Sequence, residues 1–216
     1  MVLVGPIRLL YIPNKLFVDA NATATAANIA AHATLFRWGI AADLVGAVAI
    51  VMMALSFYRL FENFDKHLAE MVLIFGGIMP ALLYIVGVAS DIETLRVVSG
   101  EAFLSVFGTP QRDALSMLLL NLRDGLNTAA EILWGVWLLP LAALIWRSRA
   151  VPRLFGIWLA LGAAAYFALC FTGVFAPEHT GTVFSYGRPL RIGETALMLW
   201  LVVRGSNTPA LGPPSP

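Results

Sequence analysis

Two stretches of this chain run for the thickness of a bilayer core without one charged side chain. Residues 71–89 read MVLIFGGIMPALLYIVGVA, and residues 154–176 read LFGIWLALGAAAYFALCFTGVFA. About 20 apolar residues in a helix match a hydrocarbon layer roughly 30 Å thick. Soluble domains are roughly 45–50% apolar and about 25% charged. This chain is 59% hydrophobic and 12% charged, too few charges to cover the apolar surface of a soluble fold of its size. Lipid removes that difficulty by facing the apolar side chains directly.

Further spans follow from the same reading. Residues 39–57 carry only Asp43, and residues 126–146 only Glu131. A shorter fifth span runs from about Pro189 to Val203 and contains Arg191 and Glu194. Pro189 suits the first turn of that helix, where a missing N–H costs nothing. No alternating pattern of barrel strands occurs, and lipid tolerates no open sheet edge. The expected fold is therefore all-α, a polytopic transmembrane helical bundle of five clear spans. A short or incomplete helix precedes them, since residues 1–12 are too few to span. Residues 1–204 form one helical domain and residues 205–216 a flexible tail. Pro80 and Pro140 fall inside spans and are expected to kink them. Ala42 and Gly46, and Gly156, Ala160 and Ala164, are spaced for close helix contacts. The 90–112 segment reads as a loop, with Thr109-Pro110 resembling a cap and first helical residue. A helix from there to Trp146 would exceed the bilayer, so it is expected to protrude or to break near Asp124-Gly125.

Net charge is +1, which favours neither nucleic acid nor a cationic partner. One cysteine, Cys170, excludes an intrachain disulfide. Arg8 and Lys15 interrupt the first apolar stretch before it becomes a cleavable leader. Short-loop Arg and Lys set orientation. One side collects Arg59, Lys66, Arg147, Arg149, Arg153 and Arg204. The other collects Lys15, Arg96, Arg112 and Arg188, diluted by Asp91, Glu93, Glu101 and Glu178. The first side, with the C-terminus, is expected in the cytoplasm of a cell-membrane protein.

The segments YIPNKLFV and ATAANIAAHATLFRWGI, then ILWGVWLLPLAALIWRS with VPRLFGIWL, then IGETALMLWLVV, resemble a family of bacterial multi-pass membrane proteins. It is known as domain of unknown function 4386. The resemblance covers roughly residues 5–204 and is most specific over 132–159. It implies six spans, with no assigned activity and no catalytic residue to carry over. Family members carry a full first helix before the YIPNKLFV-like segment, and here that helix is shortened.

Ionisable groups inside a span cost about 2.5–3.5 kcal/mol at the helix centre on insertion scales, so each needs a reason. Helical rise, counted from the arginine that ends each span, puts Asp43 and Glu131 about 24 Å up and Glu194 about 15 Å up. Tyr166 lies at about 20 Å on the same scale. Asn121, Asp124, Asn127 or Thr128, and Glu131 follow a three-and-four spacing, one stripe of a helix. Together with Arg37 and Arg191 these residues are candidates for a polar cavity in the outer half of the membrane. Asp43, Asp124, Glu131 and Glu194 come close to charge balance against Arg37, Arg123 and Arg191.

Such a cavity would hold an ion, a headgroup or a proton path. Alternatively, the same groups are interhelical ion pairs that fix helix registry. His32, His179 and Glu178 read as exposed side chains rather than a zinc site, and His67 as surface. No haem ligand lies inside a span, and no phosphate loop or nucleophile elbow occurs. The expected partners are membrane lipids and a small-molecule or lipid-like ligand, with no metal, cofactor or nucleic acid. Three function classes follow: a binding or transport protein, an intramembrane enzyme acting on a lipid or isoprenoid, or an accessory subunit of a membrane complex.

Overall fold

The computed structural model describes residues 11–205. The short first helix and the C-terminal tail expected from the sequence fall largely outside that range. Among the described residues the chain is helical and has no strand. The α-helices are α1 (Ile12–Leu16), α2 (Ala22–Ala31), α3 (Ala33–Phe61), α4 (Lys66–Leu73), α5 (Met79–Ser99), α6 (Thr109–Ser148), α7 (Arg153–Phe175) and α8 (Thr180–Arg204). A π-helical turn, Ile74–Ile78, joins α4 to α5. Four helical stretches are long and apolar enough to cross a membrane: Ala33–Phe61, Lys66–Ser99, Thr109–Ser148 and Arg153–Phe175.

Several boundaries differ from the sequence reading. The helix of the second span does not end at Ala89 but continues to Ser99, because Ser90, Asp91 and Thr94 are buried along one face rather than solvated in a loop. The turn after it closes at Gly100, whose φ of 68° suits glycine. Helix α6 passes Asp124-Gly125 without a break. Its 40 residues extend for about 60 Å, beyond the hydrocarbon layer. Pro189 lies inside α8, not at its start. Neither Ala160 nor Ala164 is buried, so of the expected small-residue stripe on α7 only Gly156 makes a close contact.

The chain divides into two compact units. The described part of the first comprises residues 11–49 and 81–127. Its core is Ile12, Leu16, Ile29, Phe36, Ile40, Val88 and Leu120. Side chains of the motif region tie its start together. Val18 N–H donates to Thr25 Oγ1 at 2.9 Å, and Asn28 Nδ2 donates to the Leu16 carbonyl at 3.2 Å. Asn21 caps α2 by accepting from Ala24 N–H. Ser90 Oγ donates to the Leu119 carbonyl at 2.7 Å, joining α5 to α6.

The described part of the second unit comprises residues 50–80 and 128–205. Its core includes Phe57, Phe61, Val72, Trp137, Leu138, Leu141, Ile145, Leu159, Ala163 and Leu197. Asp65 caps α4 through Leu68 N–H at 3.1 Å and accepts from Arg147 Nη1 at 2.9 Å. Glycines let helices approach closely. A Cβ on Gly76 would lie 2.6 Å from the Trp137 ring, and one on Gly193 would lie 2.9 Å from the Trp158 ring. Trp158 Nε1 donates to the Pro189 carbonyl at 3.0 Å, anchoring α7 to α8 beside the proline.

Two substitutions separate packing from propensity. Gly135→Leu drives a side chain into the Phe167 ring, which already fills the space of a Cβ there. It should cost about 1–3 kcal/mol. Gly125 has nothing within 4 Å of a Cβ position, so Gly125→Ala should stabilise by roughly 0.5–1 kcal/mol through helix propensity. Thermal unfolding in detergent reads both, and a stable Gly135→Leu protein would contradict the α6–α7 packing.

Candidate functional site

Two clusters of charged and polar side chains occupy the helices, one in each unit. In the first unit, Arg123 of α6 reaches two aspartates. Its Nη2 donates to Asp43 Oδ2 of α3 at 2.6 Å, and its Nη1 donates to Asp91 Oδ2 of α5. The side chains are 15% exposed for Arg123, 5% for Asp43 and 0% for Asp91. One guanidinium with several donors suits two carboxylates from different helices. This arrangement is buried and joins three helices through one guanidinium, which is the pattern of a registry lock. Asp91 was absent from the sequence-derived candidates because its neighbours Glu93 and Arg96 made the segment read as a loop. Thr94 follows Asp91 by three residues and Ser90 by four, and that spacing carries the signal of a polar helix face.

The second unit gathers Glu131 of α6, Tyr166 of α7, and Arg191 and Glu194 of α8. Arg191 and Glu194 are three residues apart and share a helix face. Tyr166 faces Glu194, with Glu131 and Arg191 both in electrostatic reach of its hydroxyl. Trp134, one turn after Glu131, packs edge-on against Tyr166 with ring centroids 5.8 Å apart. Arg191 is held by aromatic and backbone contacts. Its guanidinium lies 4.1 Å from the Phe184 ring centroid and 5.7 Å from that of Tyr166. Its Nη2 donates to the Phe184 carbonyl at 3.2 Å.

Arg191 therefore acts on Glu131 and Glu194 through space, and it makes no contact ion pair with either among the described residues. The Glu194 Oε1 and Arg191 Nε atoms are buried and have no hydrogen-bond partner among the described residues. Two carboxylates face one cation. What distinguishes this cluster from the Arg123 lock is that its arginine bonds to a backbone carbonyl and aromatic rings rather than to the carboxylates.

The other sequence candidates lie on α3 and α6. Arg37 is exposed on α3, and Arg191 is a charge in reach of Glu131. Thr128 lies one turn before Glu131, and its methyl group abuts Gly173. Asn121, Asp124 and Asn127 are exposed on α6. His179 and Glu178 contact each other at 3.7 Å on the surface. Among the described residues no three His, Cys, Asp or Glu side chains converge as a metal site would require. Cys170 is buried.

The fold and the two clusters define an all-helical chain with four helices long and apolar enough to cross a membrane and charged groups set within them. The family model described as Domain of unknown function (DUF4386) matches residues 1–205, and the chain belongs to that family. No curated protein and no solved structure matches the chain.

Proposed function

We propose that this protein is a multi-pass protein of the cell membrane that binds or transports a small or lipid-like molecule at the Glu131, Tyr166, Arg191 and Glu194 cluster. The observation that carries this reading is the unmet hydrogen-bonding capacity of Glu194 Oε1 and Arg191 Nε, both buried. Leaving such groups unmade inside a bilayer costs several kcal/mol each. A ligand with a donor for the carboxylate and an acceptor for the guanidinium offsets that cost, and the aromatic rings of Trp134, Tyr166 and Phe184 suit its apolar part. An excess carboxylate favours a cationic or hydroxyl-bearing ligand. By helical depth the site lies between the midplane, at Glu194, and the outer half of the membrane, at Glu131.

Helix α8 is the fifth span in this reading. Its 25 residues extend for about 38 Å, and its charged residues Arg191 and Glu194 are sheltered in the cluster rather than presented to lipid. The turns at 62–65 and 149–152 are cytoplasmic, and residues 100–108 are outside. Cysteines at the exposed positions Asn63 and Ser99, on a Cys170→Ser background, should react oppositely with an impermeant thiol reagent in intact cells. Equal labelling of both would refute this orientation.

The binding reading is tested by native mass spectrometry of protein extracted gently from membranes. Wild-type chain should carry a bound molecule that Glu194→Gln loses while remaining folded. A bare wild-type chain, or an adduct indifferent to Glu194→Gln, would remove the site.

A further inference from the structure

A second polar feature lies at the other end of the same unit, away from the carboxylate cluster in sequence and chemistry. Where the α6–α7 turn meets the end of α8, Arg149, Arg153, Trp200 and Arg204 line an open cavity of about 600 Å³. Among the described residues none of these three arginines lies within ion-pairing distance of a carboxylate. Two other arginines near helix ends are neutralised. Arg147 pairs with Asp65, and Arg96 pairs with Glu93 and Glu101.

Two of the three guanidiniums are also held in place. Arg153 lies 5.1 Å from the Trp146 ring centroid, and its Nε donates to the Trp146 carbonyl at 3.2 Å. Arg204 lies 5.7 Å from the Trp200 ring centroid. Arg149 has a φ of 56°, a left-handed conformation that glycine or asparagine adopts with less strain, yet an arginine occupies it. Helix α7 begins at the cavity with Pro152 before it, no side-chain cap and no acidic residue in its first turn. Its leading N–H groups and dipole therefore add to the positive field.

A general excess of basic residues on the cytoplasmic side explains arginines in this turn. It does not explain why two segments some fifty residues apart in sequence bring theirs around one cavity without an acid. We propose that Arg149, Arg153 and Arg204 form a site for a phosphate-bearing anion, either the headgroup of an anionic phospholipid or free phosphate. Planar guanidiniums match phosphate oxygens in paired hydrogen bonds. The position, at the polar ends of α7 and α8, is the depth of lipid headgroups if those helices span the membrane.

Delipidated protein in neutral detergent is titrated with short-chain phosphatidylglycerol, with short-chain phosphatidylcholine, and with inorganic phosphate, following tryptophan fluorescence. Phosphatidylglycerol should bind at least tenfold more tightly than phosphatidylcholine. Arg153→Gln and Arg204→Gln should each weaken it about fivefold, and raised salt should do the same. Arg59→Gln, an exposed arginine outside the cavity, should leave it unchanged. Saturable binding of inorganic phosphate alone, lost in the same two variants, would identify free phosphate as the occupant. Equal binding of the two lipids with no binding of phosphate, or equal losses in Arg59→Gln, would overturn the site. Thermal unfolding of each variant confirms that the chain is folded, since all three side chains are exposed and none supports the core.

Discussion

Arg123→Leu should destabilise the chain by about 3–5 kcal/mol, the penalty of leaving buried charges without their partner. The side chain holds Asp43 and Asp91, which are 5% and 0% exposed. Removing it takes the guanidinium away from two buried carboxylates, one on α3 and one on α5. Arg123→Lys should recover only part of the loss, because one ammonium lacks the forked geometry that serves two acceptors from different helices. The triple variant Asp43→Leu, Asp91→Leu and Arg123→Met should regain most of it, since replacing a buried ion network by apolar groups of similar volume is often neutral. Unfolding midpoints in detergent, combined as a mutant cycle, measure each step. A stable, monodisperse Arg123→Leu protein would show that the triad does not lock these helices.

The Glu131 pair of variants should behave differently. Glu131→Gln keeps the shape and most hydrogen-bonding capacity of the side chain, and no contact ion pair is lost, because Arg191 acts on Glu131 only through space. It should fold with a midpoint close to the wild type while losing ligand retention or transport by tenfold or more. Glu131→Leu should lose function as well, and it should cost less stability than Arg123→Leu because Arg191 keeps its bonds to Phe184. Thermal stability measured beside ligand retention by native mass spectrometry distinguishes these outcomes. A Glu131→Gln protein that is stable and fully active would take Glu131 out of any mechanism.

The contrast between the two clusters was only partly legible in the sequence. Asp43, Glu131 and Glu194 stood out because each interrupts an apolar run, and that cost demands a partner. Asp91 did not stand out. It sits next to charged residues that read as a loop, and only packing against α6 shows that its face of α5 is buried. Depth along a helix follows from residue counting, whereas facing direction across helices does not. The sequence reading places Arg37 among the candidate site residues and counts Arg123 only toward charge balance. One proved exposed on α3, and the other is buried against two aspartates.

What the sequence determined by itself was the helical class, four of the five stretches read as spans and the family. Each depends on local composition: charge-free runs of sufficient length, and motif residues such as Thr25 and Asn28 whose bonds reach only a few turns. The tertiary structure decided where α5 ends, that α6 runs unbroken past Gly125, that Pro189 lies within α8, and which cation meets which carboxylate. Those features depend on contacts between segments far apart in the chain. Asp43 and Arg123 are 80 residues apart, and Trp158 reaches a carbonyl 31 residues away. Helix propensity and hydrophobic period carry no term for such pairs, so packing alone selects among the arrangements that local pattern leaves open.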